Sequence, residues 1–219
     1  MDDLLALNCR ALLFDLDGTL IESTARIDRL WQWWAARHGL AFEKFTGLMH
    51  GRPAAETIRL VAPHLDPQQE LEALETEEIS DMHDVHLYPG ALELLGRLDG
   101  APWAVVTSGS RHVAEARLAY VGLPHPPVLI TADEVPRGKP APDGYLLAAE
   151  HLAISPAQCV VIEDSPVGVE AGKAAGMRLL AVAATHSAES LSAADALVSR
   201  LTDIDLFVNG SEITLRLTR

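Results

Sequence analysis

The chain has 219 residues, 48% of them hydrophobic and 22% charged, with 31 acidic against 17 basic side chains and a formal net charge of -14. That length accommodates one large domain or two modest ones, and the composition is that of an ordinary globular protein, not of a disordered segment. Such an acidic balance excludes the field that gathers nucleic acid or an anionic membrane surface, so any phosphate group bound here has to be held by local contacts.

The opening residues MDDLLALNCR are acidic and too poor in apolar side chains for a secretory signal. No stretch reaches the roughly 20 apolar residues of a membrane span, so a cytoplasmic address is expected. Cys9 and Cys159 each open an apolar run and read as buried, reduced thiols, not as a disulfide framework.

Short Val-, Ile- and Leu-rich runs then alternate with helical patterns: ALLF (11–14), WAVVT (103–107), VLIT (128–131), CVVI (159–162) and RLLAVA (178–183). Because they are continuous and do not alternate with polar residues, they read as strands covered on both faces, the pattern of a parallel sheet between helices. The predicted fold class is α/β, a Rossmann-like parallel sheet flanked by helices. Ser110 is expected to cap a helix that stops near Gly122, Asp143 to cap one beginning at Gly144, and Ser165-Pro166 to open one that ends before Gly176.

Residues 22–86 break the alternation. Ile27, Leu30, Trp31 and Trp34 recur at helical spacing before Gly39; Pro53 and Pro67 are placed as first helical residues, with Asp66 and Gln69 as a capping box. This block reads as a small helical domain inserted into a core made of residues 1–21 and 87–219. Trp31, Trp33 and Trp34 read mainly as its packing stripe, and the acidic run ETEEISD as a solvated helix face. The tail FVNGSEITLRL carries an Asn-Gly hairpin signal and is expected to form a strand pair at a sheet edge.

In an open parallel sheet, sites form outside the carboxyl ends of the strands. Strand one runs into Asp15 and Asp17, WAVVT ends in Thr107, and CVVI ends in Glu163-Asp164, so three strands deliver acidic or hydroxyl groups to one rim. Crowded carboxylates need protons or a shared cation, and with only oxygen ligands on offer Mg²⁺ is the natural occupant. A carboxylate beside that ion can attack phosphorus, which makes Asp15 the expected nucleophile, while Asp17 is placed to protonate the leaving alcohol and later activate water. Thr107 with Ser108 and Gly109 offers a hydroxyl and backbone N–H groups to phosphate oxygens, and Lys139, in the loop after the third run, supplies the missing cation.

The ordered set FDLDGTL, VVTSGS, GKPAPD and VIEDSPVG resembles the four motifs of the haloacid dehalogenase superfamily, in its phosphatase branch with a helical cap between the first two motifs. The resemblance runs from about residue 10 to residue 183. It implies Asp15 as nucleophile, Asp17 as general acid and base, Thr107 and Lys139 as phosphate stabilisers, and Asp15, Asp164 and the Asp17 backbone carbonyl as Mg²⁺ ligands. Glu163 is implied as a supporting acid. The cap stretches WQWWAARHGL and HGRPAAETI, together with WAVVTSGS and RGKPAPDGYLLAAE, are most similar to those of bacterial sugar phosphatases acting on hexose, deoxyhexose and hexitol phosphates, with glycerol-phosphate phosphatases next. His50 and Arg52 fall where caps of this family place a substrate-selecting loop. The expected partner is a small phosphorylated sugar or polyol, with no nucleic acid and no membrane. Two alternatives stay open: a phosphosugar mutase, disfavoured because the cap position of the mutase histidine is reached by counting at Ile27, and a non-catalytic binder of phosphorylated ligands that keeps the fold.

Overall fold

The computed structural model describes residues 6–49 and 52–218, so His50 and Gly51 lie outside the described residues. Strand β1 (Ala6–Cys9) bends at Arg10 into β2 (Ala11–Phe14), and a two-residue strand β3 (Ile21–Glu22) leads into helices α1 (Thr24–Arg37), α2 (Ala54–Val61) and α3 (Pro67–Ser80). Strand β4 (His86–Leu87) closes this excursion by pairing antiparallel with β3. The chain continues through α4 (Ala91–Gly96), β5 (Trp103–Val106), α5 (Arg111–Val121), β6 (Val128–Ile130), α6 (Asp143–His151), β7 (Cys159–Glu163), α7 (Pro166–Ala174), β8 (Arg178–Val182), β9 (Ala196–Val198), β10 (Ile204–Asn209) and β11 (Glu212–Leu217).

Six strands form one parallel sheet in the order β6-β5-β2-β7-β8-β9. β2 is central: Leu13 is in register with Ala104 on one side and Val161 on the other. Alternate residues feed two cores. Leu12, Phe14, Val105, Val160 and Ile162 pack with α4, α5 and the C-terminal strands, while Leu13, Ala104, Val106 and Val161 pack with α6 and α7. Burial on both faces is why these strands are continuously apolar.

The helical insertion has its own core of Leu30, Trp31, Trp34, Phe45, Met49, Ile58 and Leu74. Trp31 and Trp34 meet edge to face at 5.3 Å, and the Trp34 indole N–H donates to Glu70 at 2.9 Å, so the tryptophans pack as the stripe predicts. Gly39, at φ +66°, lets the chain leave α1 in the left-handed region.

Several boundaries differ from the expectations. The tail hairpin forms, but as β10 and β11 of a separate three-stranded antiparallel sheet completed by β1, not at an edge of the parallel sheet. β1 and β9 carry too few apolar residues to stand out as runs. Asp143 is the first helical residue of α6 behind Pro142, and its carboxylate pairs with Arg137 at 2.8 Å instead of capping. Pro53 precedes α2, and Asp66 caps α3 through the Gln68 N–H at 3.0 Å, not that of Gln69. Ser110 and Ser165 cap α5 and α7 as expected, accepting from Val113 N at 3.4 Å and Gly168 N at 3.1 Å. Both cysteines are buried and free, and burial pushes their thiols up to about 12 for Cys9 and about 11 for Cys159. Among the described residues, no helix is long and apolar enough to cross a membrane.

Candidate active site

The site lies where the strand order switches direction, at the carboxyl ends of β2, β5 and β7. The Asp15 N–H still donates to the Ile162 carbonyl of β7 at 3.0 Å, so its backbone belongs to the sheet while its side chain reaches the rim. A tight loop follows, in which the Leu16 carbonyl accepts from Leu20 and Ile21 N–H at 3.0 and 2.9 Å. Gly18, at φ +96°, is required twice over: the backbone is left-handed, and a Cβ there would overlap the Asp164 carboxylate.

The centre of the rim is a buried charge cluster. The Lys139 ammonium donates to Asp15 and, at 2.7 Å, to Glu163. Glu163, at the end of β7, also accepts the N–H groups of Asp164 and Ser165 at 2.8 Å each, the Ser165 hydroxyl at 3.0 Å and the Tyr145 hydroxyl at 3.2 Å. It is fully enclosed, and a Cβ at Gly168 would collide with its carboxylate. Asp164 accepts from the hydroxyls of Thr19, at 3.1 Å, and Thr185.

Ligand oxygens of Asp15, Glu163 and Asp164 lie within 4.8 Å of one another. Burial, then the neighbouring Glu163 charge, pushes the Asp164 carboxyl up to about 7. Burial, opposed by Lys139 and reinforced by Glu163 and Asp164, holds Asp15 well above the usual carboxylate range. Burial alone would depress the Lys139 ammonium, but Asp15 and Glu163 hold it well above its ordinary value. Two of the three carboxylates pair with the ammonium and the third adjoins them, and an all-oxygen donor set with surplus negative charge fits a hard divalent cation. Asp15, Glu163 and Asp164 each offer a carboxylate oxygen to such an ion, and Glu163 is the one most fully enclosed by protein donors.

Above the rim, a cavity of about 320 Å³ separates the sheet from the helical insertion. Asp15, Asp17, Thr107, Ser108 and Gly109 line its floor, while Ile27, Trp31, Arg52, Glu56, Arg59 and Glu75 line its walls. The strand ends at Val106, so Thr107 is the first residue beyond it; its hydroxyl accepts the Gly109 N–H at 3.0 Å, shaping the turn that leads into α5. The insertion touches the lysine loop directly: a Cβ at Gly138 would overlap the Pro53 ring.

Asp17 stands apart from the carboxylate cluster. Its Oδ1 accepts from the Ser23 hydroxyl at 2.8 Å and pairs with Arg117 of α5 at 2.5 Å, and the other end of that guanidinium pairs with Glu78 of α3. The run ETEEISD is therefore not simply a solvated face: Glu78 turns inward, because a buried arginine on a different element draws it. Burial raises the Glu78 carboxyl although Arg117 opposes the shift, and Asp17 and Glu78 together raise the Arg117 guanidinium against its burial. Arg117 Nε is buried and has no partner among the described residues, an arrangement that costs about 1–3 kcal/mol.

Of the residues singled out by sequence, the structure brings Asp15, Asp17, Thr107, Ser108, Gly109 and Arg52 around one cavity, with Lys139 and Asp164 beside it at the rim. His50 lies outside the described residues. Sequence reasoning did not find Tyr145, Glu78, Arg117 or Thr185. Thr185 follows the carboxyl end of β8, so the rim rule had a signal for it; the other three sit on helices, where nothing local distinguishes them from ordinary packing or solvated positions.

A lysine held among carboxylates at the carboxyl edge of a parallel sheet, under a helical insertion that follows the first strand of that sheet, defines a class of hydrolase. A family model described as haloacid dehalogenase-like hydrolase matches residues 9–176, and the chain belongs to that family, as an enzyme of the phosphatase type. Hexitol phosphatase A of Escherichia coli is 43% identical over 209 residues, covering 90% of this chain and 94% of that protein. Glycerol-1-phosphate phosphohydrolase 2 of Saccharomyces cerevisiae is 33% identical over 199 residues, covering 85% and 80%. Among solved structures, CbbY from Rhodobacter sphaeroides in complex with phosphate superimposes with a TM-score of 0.79 at 27% identity, over 89% of this chain and 96% of that one.

The Glu163 enclosure generates a test. Gly168→Ala should displace the carboxylate that anchors Lys139, lowering the melting stability by about 1–3 kcal/mol and phosphatase kcat by at least roughly tenfold. Thermal unfolding and steady-state kinetics on the purified variant read both effects, and wild-type values of both would show that Glu163 is not confined as described.

Proposed function

We propose that the chain is a Mg²⁺-dependent phosphomonoester hydrolase that acts on small sugar or polyol phosphates through an aspartyl phosphate on Asp15. The observation that carries this reading is the separation of roles between two carboxylates two positions apart: Asp15 sits with Lys139 in the buried acidic cluster, and Asp17 faces the cavity with its own hydrogen-bond set.

In the proposed reaction Asp15 attacks phosphorus, a new P–O bond forms, and the bond to the alcohol oxygen breaks. A proton passes from the Asp17 carboxyl to the departing alkoxide. Water then attacks the phosphorus of the aspartyl phosphate, Asp17 takes the water's proton, and the bond to Asp15 breaks, releasing inorganic phosphate. Lys139 and the Thr107 hydroxyl, with the Ser108 N–H, hold the phosphoryl oxygens, while the Gly109 N–H fixes the Thr107 hydroxyl. Asp15, Asp164 and the Asp17 backbone carbonyl would hold Mg²⁺, which when bound offsets negative charge on the phosphoryl group.

Residues 22–86 act in this proposal as a cap over a core of residues 1–21 and 87–219, excluding water and contacting the alcohol part of the substrate. The cavity walls support a small polar substrate: Arg52, Glu56, Arg59 and Glu75 offer donors and acceptors for hydroxyls, and Trp31 an apolar surface. Relatives named for hexitol and glycerol-1-phosphate substrates support the same class. Ile27 lines the cavity with an apolar side chain where the mutase resemblance would require a histidine, which supports hydrolysis over isomerisation.

Asp15→Asn should abolish phosphate release from a hexitol phosphate and from p-nitrophenyl phosphate while the melting temperature stays within a few degrees. Exhaustive chelation of the wild type should do the same, reversibly on adding Mg²⁺. Turnover that survives either treatment contradicts the mechanism.

Arg52 is the cap residue assigned to substrate recognition. Losing one charged hydrogen bond costs about 1.5–3 kcal/mol, so Arg52→Ala should lower kcat/KM for the best sugar phosphate by roughly tenfold to a hundredfold. p-Nitrophenyl phosphate, which has no hydroxyl pattern to read, should change much less; equal losses on both would reassign Arg52 to phosphate binding or folding.

A further inference from the structure

Arg117 is buried and its charged partner Glu78 is largely covered, yet neither has a part in binding phosphate or metal in the proposed reaction. Arg117 is on α5, the helix that starts at the phosphate-binding turn, and Glu78 is in the last turn of α3 in the helical insertion. The guanidinium bridges them to Asp17, whose Oδ1 it contacts at 2.5 Å. The same oxygen accepts from Ser23, the residue at the N-cap position of α1. Both groups that fix the Asp17 carboxylate are thereby linked to the position of the insertion.

Glu78 cannot shift independently of that insertion. Arg26 of α1 is buried and donates to the main-chain carbonyls of Glu77 and, at 3.2 Å, Glu78, so α1 carries the end of α3 with it. Arg117 Nε is buried without a partner among the described residues, while its two terminal nitrogens hold a carboxylate of the insertion and the carboxylate proposed to handle the leaving-group proton.

We propose that Arg117 is a positioning residue that aims the Asp17 carboxylate at the leaving oxygen, and that Glu78 makes this aim conditional on closure of the insertion over the rim. When α3 is seated, Glu78 holds Arg117 in the geometry seen here; when α3 withdraws, Arg117 loses its second anchor and Asp17 its fixed orientation. Proton transfer to the alcohol is confined in this way to the closed, water-excluded state. The inference rests on the proposed role of Asp17 as general acid.

The test compares Glu78→Gln, Arg117→Lys and the double variant on a hexitol phosphate and on p-nitrophenyl phosphate, with thermal unfolding recorded for each. The readout is kcat/KM, which covers only the steps through release of the alcohol. A hexitol alkoxide needs the proton, whereas the nitrophenolate leaves without it. Glu78→Gln should lower kcat/KM about tenfold for the hexitol phosphate and no more than about threefold for p-nitrophenyl phosphate, and the double variant should be no worse than the worse single variant. Equal losses on the two substrates, or losses that multiply in the double variant, would overturn the proposal. Should Arg117→Lys fail to fold, the ratio of the two losses in Glu78→Gln decides alone. Asp17→Asn separates the two levels of the argument: if it shows the leaving-group preference and Glu78→Gln does not, the coupling fails and the phosphatase reading stands. If Asp17→Asn shows no preference, the reading fails and the coupling with it.

Discussion

The buried ammonium of Lys139 is what allows an acidic rim to exist at the end of a parallel sheet. Asp15 and Glu163 both press against it, and Asp164 adjoins them with its carboxyl pushed up to about 7. Removing this lysine would leave buried carboxylates uncompensated, a loss that typically costs about 3–5 kcal/mol. The neighbourhood is arranged to prevent that outcome. Tyr145, Ser165 and two backbone N–H groups complete Glu163, Gly168 makes room for it, and Gly18 makes room for Asp164. With Lys139 as the lysine or arginine paired to this cluster among the described residues, the three carboxylates are left short of positive charge, which is the condition under which a divalent ion and a phosphoryl group are drawn to the same place.

The fold gathers these groups from distant points in the chain. Asp15, Thr107, Lys139 and Glu163 each follow or end a strand, and the order β6-β5-β2-β7 puts those ends side by side. The strands are buried on both faces, so their positions are set by packing and the rim inherits that precision. The insertion between β3 and β4 is different in kind: it has its own core, and it meets the rim through Pro53 against Gly138 and through Glu78 against Arg117. In the proposed reaction the rim supplies the chemistry, while the insertion supplies selection and exclusion of water.

Much of this was legible in the sequence because parallel strands announce themselves as continuous apolar runs and the rim residues lie immediately after them. Asp15, Thr107 and Asp164 were placed by that rule alone. What escaped detection depends on tertiary pairing. Glu78 lies in an acidic helix whose composition reads as solvated, and its ion pair with Arg117, 39 residues away, turns it inward. Tyr145 of α6 packs in the core, and nothing local in the sequence signals that its hydroxyl also reaches Glu163. The C-terminal hairpin was read from its Asn-Gly turn, yet its partner β1 was invisible, since a four-residue strand with alternating burial carries almost no pattern. Asp143 was assigned as a cap because its residue type favours one; Arg137 competes for the same carboxylate and takes it.

The central claim is that Asp15 attacks phosphorus and Asp17 moves protons, so that two displacements occur at one phosphorus atom. The stereochemical course measures this directly, using a phosphate ester made chiral with oxygen isotopes and sulfur at phosphorus. Two in-line displacements through a phosphorylated Asp15 predict overall retention of configuration. Inversion would mean that water attacks the substrate in a single step, and would contradict the account at its root.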